Sequence, residues 1–377
     1  MILTIIIFLV LLSVLVLVHE AGHFFVARKF GVSAEEFGLG FPPRLFGWYR
    51  NVAGKGVFFF GNKEIHDAKD TIYSFNLIPI GGFVKIKGEN GENENDTTSF
   101  ASKTLGKRAL ILSAGVLMNV LLAAIIISIG LMTGLPQAVD GNSVPARAEI
   151  RERRIQVMQV IPGSAAEKAD LKAGDAIISI NGNLFTNYSE VQKFVGDKAG
   201  QKLNYVIDRG KERINKEIIP EKLQDSDRAG IGIAIAETGI VSYPWYLAII
   251  EGFKLTFLLI WSIIVGLATL IGQLFVGKNV AAEVVGPVGI AALTGQMADL
   301  GFSYLAQFAA LLSLHLAVIN FIPFPALDGG RVLFLLIEKI KGSPIKQKTE
   351  AIIHNLGFLI LIGLIVLVTF KDIIKLF

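Results

Sequence analysis

The chain has 377 residues, 52% hydrophobic and only 18% charged, with a mean hydropathy of +0.57. Soluble domains average roughly 25% charged residues, so the composition excludes a soluble globule, which could not hide this much apolar surface. The net charge of +4 is too small, and its basic residues too scattered, for a nucleic-acid partner. Zero cysteines exclude disulfides and thiolate metal sites, so a bound metal must use His and carboxylates.

Uncharged runs of about 20 residues mark helices able to cross a bilayer. Met1–Val18 is the first. It lacks the basic start and small-residue cleavage site of a signal peptide and reads as an uncleaved helix, closed by Arg28 and Lys29. Ala109–Leu135, entered through Lys107 and Arg108, is the second; Leu300–Leu327 and Ile352–Phe370 are the third and fourth. The segment from Arg28 to Arg108 carries twelve Lys/Arg residues, and the link after the third run carries Arg331, Lys339, Lys341, Lys346 and Lys348. Positive charge stays on the cytoplasmic side. Met1 and the polar insert Asp140–Tyr243 are therefore expected outside.

An odd number of crossings must separate that insert from Arg331, and the third run supplies one. The further apolar run Leu255–Gly277 is thus expected to lie at the outer face or to dip in and out. Its alternative is a full crossing with a re-entrant return through Val284–Gln296. On the cytoplasmic side, Thr71–Ile78 and Gly82–Lys87 are strand-like, and the acidic stretch Glu89–Asp96 is expected to be a mobile loop.

The insert has a regular local grammar. Ile155–Ile161 is β-rich, Ser164–Leu171 reads as a short helix, and Ala176–Ile180 as a strand ending in the turn dipeptide Asn181-Gly182. A second helix starts at Asn187, with Glu190 completing a capping box. A hairpin, Leu203–Asp208 and Arg213–Ile219, follows. The order resembles a bacterial PDZ domain, most strongly over VIPGSAAEKADLKAGDAIISING (Val160–Gly182). Such domains accept an extended peptide or a C-terminus at a sheet edge; a plain spacer or size filter is the alternative.

Chemistry concentrates in two places. In His19-Glu20-Ala21-Gly22-His23, positions i and i+4 of a helix put both imidazoles on one face, about 6 Å apart. They could share a tetrahedral cation, with Glu20 beside its open position. Ionisable groups at the end of an apolar run mark function more often than chance, although His19 and Glu20 could simply occupy the headgroup region. The second place is Asn320-Phe321-Ile322-Pro323-Phe324-Pro325-Ala326-Leu327-Asp328-Gly329-Gly330, where prolines break a helix before a lone acid. Asp328 is a natural third ligand, or else an N-cap for the helix that follows. His315 could approach the metal or serve packing; His66 and His354 attract no special reading.

Together these motifs resemble the site-2-protease family of intramembrane zinc metalloproteases, in its bacterial RseP-type branch. The resemblance runs through HEAGH, FGLGFPPRLF (Phe37–Phe46), NLIPIGGFVKIKGE (Asn76–Glu89), SFASKTLGKRALILSAGVLMN (Ser99–Asn119), one PDZ domain, GPVGIA (Gly286–Ala291) and NxxPxPxLDGG from Asn320. Where the family's second-helix motif has Gly-Pro before its Asn, this chain has Gly115-Val116, with Asn119 kept.

The resemblance implies a polytopic α-helical membrane protein with four core transmembrane helices, a cytoplasmic-side membrane-associated β-loop and one extracytoplasmic PDZ domain. The expected boundaries are 1–135 for the first core part, with the HExxH helix at about 1–27, the β-loop region at 28–108 and the second helix at 109–135. The PDZ domain takes 140–222, a segment with an interfacial or re-entrant helix at 245–277 takes 223–299, and the second core part takes 300–377. Zinc would be held by His19, His23 and Asp328, with Glu20 as general base toward water at the open position. Gly81, Gly82, Phe83, Asn320 and Pro323 would stand near the substrate. The implied activity is zinc-dependent endopeptidase cleavage within transmembrane segments of single-pass proteins, anti-sigma factors or signal-peptide remnants, at the bacterial inner membrane. The active site would face the cytoplasmic side, and the partners would be the substrate, the lipid bilayer and a PDZ ligand. A divalent-metal transporter and a catalytically silent scaffold are the competing readings.

Overall fold

The computed structural model describes residues 2–139, 147–210, 212–222, 229–277 and 284–376. In chain order the elements are α1 (Ile2–Lys29), β1 (Ala34–Arg50), β2 (Gly56–Phe60), β3 (Ile72–Ile86), α2 (Leu105–Thr133), β4 (Leu135–Ala138), β5 (Glu149–Val160) and α3 (Ala165–Lys168). Next come β6 (Ala176–Ile180), β7 (Asn183–Leu184), α4 (Tyr188–Gly196), β8 (Leu203–Arg209), β9 (Glu212–Ile218), β10 (Glu221–Lys222), β11 (Ala229–Gly230) and β12 (Ile233–Ser242). Five helices close the chain: α5 (Trp245–Phe275), α6 (Pro287–Leu300), α7 (Phe302–Phe321), α8 (Asp328–Lys341) and α9 (Gln347–Leu376). The contacts divide into two units, Met1–Ile126 with Lys254–Gly295 and Phe308–Phe377, and Ile127–Phe253 with Gln296–Gln307.

Among the described residues, α1, α2, α5, α7 and α9 are long and apolar enough to cross a membrane. The chain is a polytopic helical membrane protein. The run Leu255–Gly277 falls in α5 up to Phe275; the 31 residues of α5 exceed the length of a crossing, whereas α6, with 14, falls short of one. In the first unit α6 touches the start of α1 and the end of α9. A Cβ on Gly295 would lie 2.6 Å from Thr4 Cγ2, and the Gly289 N–H donates to Asp372 Oδ2 at 2.8 Å.

The β-loop is one sheet of order β2-β1-β3. The two expected strands are a single long β3, bent at Gly81 where φ is +71°. Glycine reaches that conformation without penalty, so the strand doubles back: Phe37 of β1 stands opposite both Tyr73 and Val84. A partly buried ion pair stiffens the fold, Arg44 donating from Nε to Glu36 at 2.8 Å and Ser74 Oγ to the same carboxylate at 2.6 Å. Exposed Phe46 stacks on Phe75 at 5.1 Å and on Phe58 at 6.0 Å.

The acidic stretch after β3 is tied down rather than free. Ser99 Oγ donates to the Glu92 carbonyl at 3.0 Å, Gln347 Nε2 to that of Gly91 at 2.5 Å, and Arg331 pairs with Glu89. Lys87 holds Asp96 at 2.6 Å. That bond and the Thr98 N–H keep the Asp96 carboxyl well below the usual carboxylate range.

The second unit carries a sheet of order β4-β12-β5-β6-β8-β9, with β7 on β6. Val157, Ile180, Leu203, Tyr205 and Ile207 are fully buried in its core. Ser164 caps α3, and Asn187 caps α4 by accepting the Glu190 N–H at 2.9 Å. The chain leaves α3 early because Asp170 turns to φ +57°. Strands and two helices follow the PDZ arrangement. The sheet runs past the expected 140–222 limits, however: β12 is paired along β5 from Ile233 to Ser242, and β4 joins it from before the insert. The expected first residue of that domain, Asp140, lies outside the described residues.

Candidate metal centre

Nothing in α1 interrupts helix between Ile2 and Lys29, so the i, i+4 spacing of its two histidines is realised. The His19 and His23 rings are T-shaped, with centroids 4.9 Å apart, and only 5% and 6% exposed. Helix α2 crosses α1 closely at two glycines. A Cβ on Gly22 would lie 2.4 Å from the Ala114 carbonyl oxygen, and one on Gly115 would lie 2.4 Å from His23 Nε2 and 2.7 Å from His19 Nε2. Both rings therefore rest against bare α2 backbone.

Each ring is held from behind by α2. His23 Nδ1–H donates to the Ile111 carbonyl at 2.8 Å, which leaves the Nε2 lone pair for a ligand. His19 Nδ1 lies 3.4 Å from the amide of Asn119, a fully buried side chain whose Oδ1 has no partner. Carbonyl and amino ends of an amide have nearly the same shape. With the oxygen turned to the ring, it accepts the Nδ1 proton and frees Nε2 of His19 in the same sense. Ser313 Oγ of α7 anchors the Asn119 backbone carbonyl at 2.9 Å.

The acid arrives from the other end of the chain. After α7 the chain turns through Pro323 and Pro325, then folds back so closely that a Cβ on Gly329 would lie 2.3 Å from the Phe321 carbonyl oxygen. A Cβ on Gly330 would meet the Phe324 carbonyl oxygen at 2.3 Å. Asp328 is the first residue of α8; the cap position is Leu327, with no side-chain cap bond. The carboxylate turns to the imidazoles instead. Its Oδ2 lies 2.9 Å from His19 Nε2 and 3.3 Å from His23 Nε2, and the two nitrogens are 3.3 Å apart.

A tetrahedral ion with ligands at about 2.0–2.1 Å requires ligand separations of about 3.3 Å. The triangle of two imidazole nitrogens and one carboxylate oxygen has that size, and the donor set suits zinc.

Glu20 is half-buried on the same helix, where its Oε2 accepts the Val84 N–H at 3.1 Å. Strand β3 runs beside α1 in step. Ser13 Oγ donates to the Pro79 carbonyl at 3.1 Å, and a Cβ on Gly81 or Gly82 would meet Val16 at 3.2 Å or Leu17 at 3.7 Å. Phe83 stacks on Phe41 at 6.5 Å. The structure thus gathers His19, His23 and Asp328, and links Glu20 to the strand of Gly81, Gly82 and Phe83. Among the described residues no hydrogen bond ties half-buried Asn320 or exposed Pro323 to that group. His315 Nδ1 bonds the Leu311 carbonyl of its own helix at 2.9 Å. Sequence reasoning missed Ile111, Gly115 and Asn119 as walls of the site. Their spacing of four residues on one apolar helix is the signal that could have found them.

Residues 7–364 match the family model described as Peptidase family M50. A Clostridium perfringens protein whose name carries the words zinc metalloprotease is 34% identical over 365 residues, covering 96% of each chain. Regulator of sigma-E protease RseP of Escherichia coli is 29% identical, covering 97% of each chain. That alignment runs over 458 positions, more than the 377 residues here, so the relative holds stretches with no counterpart in this chain. Among solved structures, the PDZ domain of an SdrC-like protein from Listeria monocytogenes is 25% identical with a TM-score of 0.22, covering 23% of this chain and 92% of that one.

Proposed function

The chain belongs to peptidase family M50 and is a zinc metalloprotease, and from that premise we propose that it cuts peptide bonds inside the transmembrane segments of single-pass membrane proteins. One observation carries the reading. A His–His–Asp triangle with edges of 2.9 and 3.3 Å lies among helices of spanning length, beside an edge strand bonded to Glu20. A scaffold needs no Glu20 base, and a transporter built on the same three ligands gives no role to the strand bonded to Glu20.

His19, His23 and Asp328 would hold zinc, whose Lewis acidity lowers the pKa of water to about 7 and polarises a carbonyl. Glu20 takes the proton of the attacking water and delivers it to the leaving amine. A helix shields its own carbonyls, so the substrate must be drawn into an extended form. The edge of β3 at Gly81, Gly82 and Phe83 offers backbone groups for that pairing. A substrate strand there takes the Val84 N–H that Glu20 otherwise accepts, so the pairing that extends the substrate also releases the base. Asn320 and Pro323, assigned by resemblance, stand along the substrate path.

Charge distribution orients the protein in the bacterial inner membrane, with the N-terminus and PDZ domain outside and the site toward the cytoplasmic side. The Escherichia coli relative is named a regulator of sigma-E protease, and anti-sigma factors, which the resemblance implies, are the first substrate class to test. Signal-peptide remnants are the second class. The PDZ domain would bind a peptide or C-terminus, or limit the size of what enters.

The test compares wild type and Glu20→Gln, purified in detergent, on a model single-pass substrate. The variant is expected to keep its zinc and to lose about 10²–10⁴-fold in kcat, and a zinc chelator is expected to stop the wild type. Wild-type cleavage by Glu20→Gln overturns the assignment of the base.

A further inference from the structure

The turn between α7 and α8 determines where Asp328 stands. Ala326, two residues before the acid, has φ +79°. A residue with a Cβ holds that left-handed conformation only where its surroundings impose it. Two positions on α9 do so. The Ala326 N–H donates to His354 Nδ1 at 2.9 Å. Three residues further on, a Cβ on Gly357 would lie 2.5 Å from both the carbonyl oxygen and the Cβ of Pro325. Positions i and i+3 share one helix face, so this face of α9 receives the Pro325–Ala326 turn side by side.

The imidazole is itself fixed. Phe334 of α8 packs edge-on against it at 5.2 Å. Accepting the Ala326 N–H leaves the proton on Nε2, a buried atom with no hydrogen bond, 3.9 Å from the Glu350 carboxylate of the same helix. The bond that this imidazole makes is therefore the one from its other nitrogen to the Ala326 N–H. Nothing in the amino-acid sequence singles out this histidine, which lies far along the chain from the HEAGH motif and well beyond the Asp328 turn.

We propose that His354 and Gly357 form a socket that holds the Pro325–Ala326 turn in its left-handed form and so sets the Asp328 carboxylate against His19 and His23. His354 is a positioning residue, acting through Ala326, and the inference rests on the reading of Asp328 as a zinc ligand. Without the acceptor the Ala326 N–H loses its partner, the turn relaxes toward negative φ, and the carboxylate leaves the triangle.

The experiment measures zinc affinity of the full-length protein in detergent, by competition with a chromophoric chelator, together with kcat and KM on a model single-pass substrate. His354→Leu is expected to bind zinc about 10–100-fold more weakly, with kcat reduced and KM little changed. His354→Asn places an amide oxygen where Nδ1 was and should recover most of the loss. Adding Ala326→Gly to His354→Leu should also restore affinity, because glycine adopts positive φ unaided; a mere packing role for His354 would not be repaired there. If Asp328→Asn loses zinc affinity in the same assay and His354→Leu does not, the socket is overturned while the ligand assignment stands. If Asp328→Asn binds zinc like the wild type, the ligand reading fails and the socket falls with it. Should His354→Leu not fold, Gly357→Ala presses on Pro325 from the same socket; wild-type zinc affinity in that variant overturns the proposal.

Discussion

Gly115→Ala sets two local effects against each other. An added Cβ would lie 2.4 Å from His23 Nε2, 2.7 Å from His19 Nε2 and 2.8 Å from His19 Cε1. Non-bonded carbon contacts settle at about 3.5–4.0 Å, so the rings must withdraw by on the order of 1 Å. His23 cannot withdraw without giving up its 2.8 Å bond to the Ile111 carbonyl, and metal ligands tolerate displacements of only about 0.2 Å. Alanine meanwhile favours the α2 helix by about 1 kcal/mol over glycine, which offsets part of an overpacking cost of about 1–3 kcal/mol. The fold should therefore survive while zinc affinity falls by at least ~100-fold, or about 2.8 kcal/mol. Zinc retained after dialysis against chelators of graded strength measures the affinity, and a thermal melt of the zinc-free protein measures the fold. A folded Gly115→Ala variant that binds zinc like the wild type would show that α2 is not the wall of the site.

Two further outcomes test the strand and its loop. Val84→Pro removes the N–H that Glu20 accepts and that a paired substrate would take; zinc should be retained while cleavage of the single-pass substrate falls sharply, and normal cleavage would exclude pairing at this point of β3. Asp96 has its folded pKa depressed by Lys87 and Thr98, so its contribution to holding the loop is present above the ordinary carboxylate value of about 3.9. It is lost only as pH falls through the lower folded value. Amide protection over 87–98, relative to the intrinsic rate at each pH, should accordingly hold from neutrality to about pH 4 and fall at neutral pH in Asp96→Asn; unchanged protection in that variant would count against the Lys87–Asp96 bond as the tie.

What the sequence made legible follows from what is costly in lipid. Two imidazoles, an acid beside them and a lone carboxylate after a broken apolar helix stand out because ionisable groups there need a reason. The residues around them do not stand out. Gly115 and Asn119 enter the sequence only as positions of a shared second-helix motif, with no role attached, and Ile111 acts through a carbonyl that every residue has. His354 contributes an acceptor to a backbone N–H, an interaction without sequence spacing. Strand β1 was hidden for another reason: its glycines and Pro42-Pro43 give no strand-like alternation, and it becomes a strand through pairing with β2 and with both arms of β3. The PDZ sheet was readable where the motif is local, from Val160 to Gly182. It was not readable at β12, whose place beside β5 depends on pairing across the whole insert. Local chemistry and local periodicity survive in a single sequence; second-layer support and long-range register are properties of the assembled chain. The positions that hold the ligands, rather than the ligands themselves, are thus where mutation of this protein has most left to teach.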